Sequence, residues 1–108
     1  MSPIKKRKLY KLRNQLDKLD DSFIKLIKKR TNLVNQVLKL KDHKKQIIDQ
    51  QRIKIILTRI KKKSIKNKID PKITNRIWKN MIWSFIDYEK KNFKKKIIIY
   101  CGVAIFFQ

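Results

Sequence analysis

The sequence predicts an all-α fold of three helices, one long, one short and one medium, and two observations carry that expectation. The chain has one glycine and two prolines among its 108 residues, too little material for the tight turns and hairpins of a β-rich domain. Its apolar residues recur at steps of three and four, the period of a helix face, rather than at steps of two. A domain this short buries only about 60 to 65 per cent of its unfolded surface, so a second chain is expected to complete it.

The long helix is expected over about residues 8 to 42. Leu12, Leu16, Leu19, Phe23 and Leu26, then Leu33, Val37 and Leu40, form one seam, and a helix of that length, roughly 50 Å at 1.5 Å per residue, needs a partner along much of it. A period near 3.5 is that of a coiled coil or bundle. The polar stretch Asp42 to Gln46 ends the helix. Asp49 then suits the N-cap of the short helix, which runs through Ile53, Ile56, Leu57 and Ile60 and ends in the Lys/Ser/Asn-rich stretch 61–69. Asp70-Pro71 reads as cap and first residue of the third helix, with Ile73, Ile77, Trp78, Met81, Ile82, Phe85 and Phe93 on its apolar side. Three stretches follow: a basic N-terminal arm over 1–8, a helical domain over 9–93, and a lysine-led apolar tail over 94–108. The tail's run IIIYCGVAIFFQ is shorter than the roughly 17 residues a membrane span requires, and fits an added strand, a membrane-touching segment or a loosely packed end.

A formal charge of +23 raises the possibility of a basic helical nucleic-acid binder, because each lysine or arginine near a phosphate releases counterions. Against specific nucleic-acid binding, the lysines are spread from Lys5 to Lys96 and suit solvated faces. Cys101 stands alone, which excludes an intramolecular disulfide framework, and the first residues lack the apolar stretch of a signal peptide. A reducing, cytoplasmic setting is expected. Neither a Ser-His or Cys-His arrangement nor a metal-ligand cluster stands out, and His43 is a lone loop histidine, better suited to solvent than to catalysis.

Charges interrupt the apolar pattern at informative places. In the long seam the step after Leu26 falls on Arg30 before returning to Leu33, and a buried guanidinium costs several kcal/mol unless an anion meets it or it snorkels to the surface. Lys41 follows eleven residues later, within about 20° of the same helical face, so both can converge on one anion. In the third helix Glu89, the only glutamate, shares a stripe with Trp78, Ile82, Phe85 and Phe93. Desolvation there favours a neutral carboxyl able to donate a hydrogen bond, whereas a nearby cation favours a plain salt bridge. Only six of the 31 cationic residues are arginines, and arginine grips carboxylates through a planar fork that lysine cannot copy. Arg13 lies seventeen residues before Arg30, about 100° off its face; it fits a site on a symmetric partner better than one on its own chain.

The pieces LYKLRNQLDKLDDSFIKLIKKRTNLVNQVLKLK, IIDQQR and IDPKITNRIWKNMIWSFIDYE, in the order Arg, Arg, Lys, Asp-x-x-Arg, Gln-or-Glu, resemble the all-helical (AroQ-class) chorismate mutases over roughly residues 9 to 93. The resemblance implies an intertwined helical homodimer with two equivalent sites, rearranging chorismate to prephenate in phenylalanine and tyrosine biosynthesis without cofactor, metal or covalent intermediate. It places Arg13 of one chain with Arg30 and Arg52 of the other around the substrate carboxylates. Lys41 would bond the ether oxygen that gains charge as the carbon–oxygen bond breaks, and Glu89, protonated, would face the same oxygen. Asp49 would shape the wall near the ring hydroxyl, and Phe85 is expected among the substrate-lining residues.

One position departs from the pattern. Many chorismate mutases have a glutamate immediately after the residue matching Arg52, bonded to the ring hydroxyl, where this chain has Ile53. The related isochorismate-pyruvate lyases share the fold and the cationic set with an apolar residue there, which makes that activity the alternative. Holding a flexible dicarboxylate in a compact reactive shape and placing fixed donors at the charged oxygen would supply the catalysis.

Overall fold

The computed structural model describes the backbone of residues 1–107 and the side chains of residues 1–93. It consists of α1 (Pro3–Leu40), a single 3-10 turn (Lys44–Gln46), α2 (Gln50–Lys66) and α3 (Pro71–Phe107), with no strand among the described residues. The all-α expectation of three helices is met, but the third, expected to be medium, runs 37 residues from Pro71 to Phe107 and nearly equals the first. The tail expected over 94–108 falls outside the residues whose side chains are described.

Local chemistry sets each boundary. The Ser2 side chain accepts a hydrogen bond from the Lys5 backbone N–H at 3.2 Å and Pro3 takes the first helical position, where a missing N–H costs nothing. The helix therefore starts five residues earlier than the apolar seam indicates, and Lys5, Lys6, Arg7 and Lys8 are its opening turns. Asp49 caps α2, accepting from the Arg52 backbone N–H at 3.0 Å, and Asp70 caps α3 through the Lys72 N–H at 3.0 Å, both as the sequence predicts. α2 ends in a left-handed turn. Lys68 has φ 57°, its N–H bonds the Ile65 carbonyl and the Ile69 N–H reaches back to the Ser64 carbonyl at 2.9 Å. This is the Schellman arrangement, which normally uses glycine.

The chain divides into two compact units at Leu33/Val34, inside α1. Met1–Leu33 is a helix without a buried residue: Leu9, Arg30 and Thr31 are half-buried and the rest exposed. Leu12, Leu16, Leu19, Phe23, Leu26 and Leu33, the seam read from the sequence, are all 56 to 60 % exposed. Arg30, on the same seam, is half-buried, with its Nε shielded from solvent.

The unit beginning at Val34 has its own apolar core of Leu38, Ile47, Ile56, Ile60, Ile82, Ile86 and Phe93, with Ile48, Ile53, Leu57 and Trp78 packed against it. Ile56 and Ile60 are one turn apart on α2, and Ile82, Ile86 and Phe93 lie along one stripe of α3. Leu38, Ile47 and Ile86 are core residues that the seams did not single out, because the chain turns after Leu40 and the buried face of α1's last turn differs from the one followed by Val37 and Leu40. Ile73 and Ile77, expected on the apolar side of the third helix, are exposed. Where α2 meets α3, the Ser64 and Thr74 hydroxyls stand 2.7 Å apart, and buried Ser64 also donates to the Ile60 carbonyl at 2.6 Å, so the polar groups at this crossing are satisfied.

Candidate active site

The stripe Ile82, Ile86, Phe93 on α3 passes through one more position, Glu89, which is 8 % exposed. A carboxylate at a core position costs several kcal/mol unless it is met by a charge and hydrogen bonds. Here it is met by Lys41, whose Nζ lies 3.0 Å from Glu89 Oε2. Of the two alternatives read from the sequence for Glu89, a neutral donating carboxyl or a salt bridge to a cation, the geometry is that of the salt bridge.

Lys41 is delivered by the end of α1. Its N–H closes a tightened last turn on the Leu38 carbonyl at 3.1 Å, and Leu38 anchors that turn in the core. The residues that follow are fixed by Gln46, whose side-chain Oε1 accepts from the Asp42 and His43 backbone N–H groups at 2.7 and 2.8 Å. The lysine stem thus leaves a backbone whose polar groups are already bonded, and its ammonium is held by the one glutamate of the chain. His43 is exposed and takes its place in this turn through its backbone.

Two side chains that the sequence did not flag stand beside the pair. The Tyr88 hydroxyl donates to Asn35 Oδ1 at 2.9 Å, a second tie between the end of α1 and α3. The Tyr88 ring meets Phe85 edge to face, with centroids 6.4 Å apart and planes at 86°. Neither Asn35 nor Tyr88 interrupts an apolar pattern, the signal that marks Arg30 and Glu89, and neither is tied to such a position by spacing, the signal that marks Lys41.

The remaining expected site residues fall as follows. Asp49 uses its carboxylate as the α2 cap on the Arg52 N–H; Arg52 itself is exposed in the first turn of α2. Ile53 is half-buried and packs on the core, and Phe85 is half-buried on α3. Arg13 and Arg30 belong to Met1–Leu33, Arg13 exposed and Arg30 half-buried. The eleven-residue relation between Arg30 and Lys41 follows helical geometry only as far as Leu40, where α1 ends.

Buried Glu89 and half-buried Lys41 thus stand 3.0 Å apart as an ion pair that joins the end of α1 to α3. The fold that carries them matches a known family: the model for chorismate mutase type II covers residues 12–90. The chain belongs to the chorismate mutase type II family. No curated protein and no solved structure matches it. Chorismate mutase is an isomerase of aromatic amino-acid biosynthesis that converts chorismate to prephenate on an all-helical scaffold, and that activity and fold are what membership assigns to this chain. The match spans α1 from its third turn, all of α2, and α3 through the residue after Glu89, so Lys41 and Glu89 both lie inside it. No helix among the described residues is long and apolar enough to cross a membrane, and no group of three or more candidate metal-binding side chains occurs among them.

Proposed function

We propose that this chorismate mutase works as a homodimer in which Lys41 and Glu89 act on the substrate's ether oxygen. The observation that carries the reading is the ion pair of half-buried Lys41 with buried Glu89 in a chain of this family. The reaction breaks the ether carbon–oxygen bond as a new carbon–carbon bond forms, with electron density building on the oxygen and no proton transferred. The Lys41 ammonium donates to that oxygen, and Glu89 donates beside it when its carboxyl is protonated. Arg30 and Arg52, with Arg13 from the second chain, grip the two carboxylates by their guanidinium forks. Asp49 and Phe85 shape the wall around the ring. The work done is positioning and charge stabilisation, so none of these residues needs to be a nucleophile.

The dimer is supported by the exposed seam of α1. Large apolar side chains at Leu12, Leu16, Leu19, Phe23 and Leu26, all more than half exposed, form a continuous stripe of the kind that marks an interaction face on a soluble protein. A second copy of the same stripe, packed in coiled-coil fashion, would cover it and bring Arg13 to the other chain's site. The lone Cys101 suits a reducing compartment, and we place the enzyme in the cytoplasm.

A second reading is favoured by Ile53. This half-buried apolar residue sits next to Arg52, where many mutases carry a glutamate for the ring hydroxyl, and it suits isochorismate-pyruvate lyase activity on the same scaffold. The deciding experiment offers the purified protein chorismate and isochorismate in parallel, without cofactor, across about pH 5 to 8. Prephenate from chorismate is the expected main product. Pyruvate from isochorismate as the main product would reverse the assignment. Glu89→Gln, whose amide donates to the ether oxygen whatever the pH, should keep its activity over the same range. Loss of activity in Glu89→Gln would argue against a donating role at this position.

A further inference from the structure

Lys41 and Glu89 come from separate elements, and their separation depends on how the last turn of α1 is set against α3. One buried residue, Leu38, anchors that turn. An apolar contact resists withdrawal but has no direction, so by itself it leaves the turn able to rotate and slide. The ion pair is one directional tie. The hydrogen bond from the Tyr88 hydroxyl to Asn35 Oδ1, 2.9 Å, is another. Asn35 lies five residues before Leu40, about 7.5 Å along the helix axis, while Tyr88 immediately precedes Glu89 on α3. Two ties separated along α1 and adjacent on α3 fix rotation and register together, whereas a single tie is a pivot. The Tyr88 ring, oriented by that bond, also sets the edge-to-face contact with Phe85.

We propose that Tyr88, held by Asn35, is a positioning residue of the reaction: it holds Lys41 against Glu89 and fixes the ring of Phe85. The proposal rests on the reading that Lys41 and Glu89 act at the ether oxygen. Tyr88 acts through those two groups, which are engaged most strongly when charge has developed, so losing its hydroxyl affects the rate at saturation and spares substrate affinity. A displacement of the order of 1 Å in a catalytic group can cost about a hundredfold in rate; loss of one of two ties, with the other kept, is expected to cost about tenfold.

The test is Tyr88→Phe, which keeps the ring and its contact with Phe85 while deleting the hydroxyl, together with Asn35→Leu and the double variant. The expected result is kcat lowered about tenfold with KM within about twofold of the parent, and a double variant no slower than the worse single one, because both remove the same bond. Additive losses, an unchanged kcat, or a loss carried by KM would overturn the proposal. A readout without substrate separates this from failure of the functional reading. The Lys41 ammonium ¹H–¹⁵N signal should be visible in the parent, where the ion pair slows exchange, and should broaden in Tyr88→Phe. An unperturbed signal overturns the positioning role even if the parent proves inactive toward chorismate. A signal that broadens in Tyr88→Phe while the parent does not turn over chorismate sinks the functional reading and leaves the structural tie standing.

Discussion

Two stretches of this chain carry apolar stripes of similar quality and differ in what covers them. From Val34 onward, Leu38, Ile47, Ile56, Ile60, Ile82, Ile86 and Phe93 cover one another. In Met1–Leu33 the stripe of Leu12, Leu16, Leu19, Phe23 and Leu26 is as regular and stays exposed. Periodicity records that a face will be buried; it carries no information on which molecule buries it. The distinction matters for function because the expected site draws on both stretches: Arg13 and Arg30 from the first, Lys41, Asp49, Arg52 and Glu89 from the second.

The largest effect should come from charging the uncovered stripe. Phe23→Asp places a carboxylate in the seam of both chains of the proposed dimer, losing about 1.5 to 3 kcal/mol of burial at each copy and adding the cost of a buried charge. We expect a monomer at micromolar concentration by sedimentation, with the helicity of the rest of the chain retained. A dimer of parental affinity would show that the seam is not the interface.

Next comes the self-covered stripe. Phe93→Ala should destabilise folding by about 3 to 5 kcal/mol through lost burial and a residual cavity, read as a shift of the denaturation midpoint at fixed protein concentration. A change under 1 kcal/mol would mean that the described core does not hold the unit together.

Lys41→Ala should lower turnover by about 3 to 4 kcal/mol of transition-state stabilisation, with helical content kept. It also allows a mixing experiment that joins the two stretches. Arg13→Ala chains and Lys41→Ala chains are each expected to be nearly inactive, yet a random mixture contains heterodimers with one complete site. Activity should then recover to about a quarter of the parental value if Arg13 crosses to the second chain. No recovery on mixing would return Arg13 to its own chain.

The smallest effect is expected at the turn after α2. Lys68 occupies a left-handed position with φ 57°, where a Cβ costs about 1 kcal/mol that glycine avoids. Lys68→Gly should raise the melting temperature by about 4 to 8 °C, leaving activity unchanged.

Much of this was legible in the residues themselves. Asp49 and Asp70-Pro71 announce helix starts because capping is a local interaction between a side chain and the next few N–H groups, and both caps form as read. Ser2-Pro3 carries the same signal, obscured by the lack of an apolar seam over the first turns. Glu89 stood out because a carboxylate in an apolar stripe must be compensated, and Lys41 proved to be the compensation. Asn35 and Tyr88 were invisible for the opposite reason: a polar residue at a half-buried position raises no conflict, and their bond spans 53 residues of sequence. Ile86 was displaced in the reading by Phe85, one residue earlier, because an aromatic looks more like a core residue than its neighbour when the helix phase is known only to within a residue.

The crossing of α2 and α3, with its Ser64–Thr74 hydroxyl pair, has a kinetic consequence. These two helices are consecutive and joined by a four-residue link, so their mutual contacts close over short loops and form early, on the fast timescale of local helical pairing. Joining two separate chains is a bimolecular event whose rate scales with concentration. A newly made chain would therefore acquire its α2–α3 hairpin at once and wait for its counterpart, so that at low expression the supply of partners, rather than folding itself, would set how quickly activity appears.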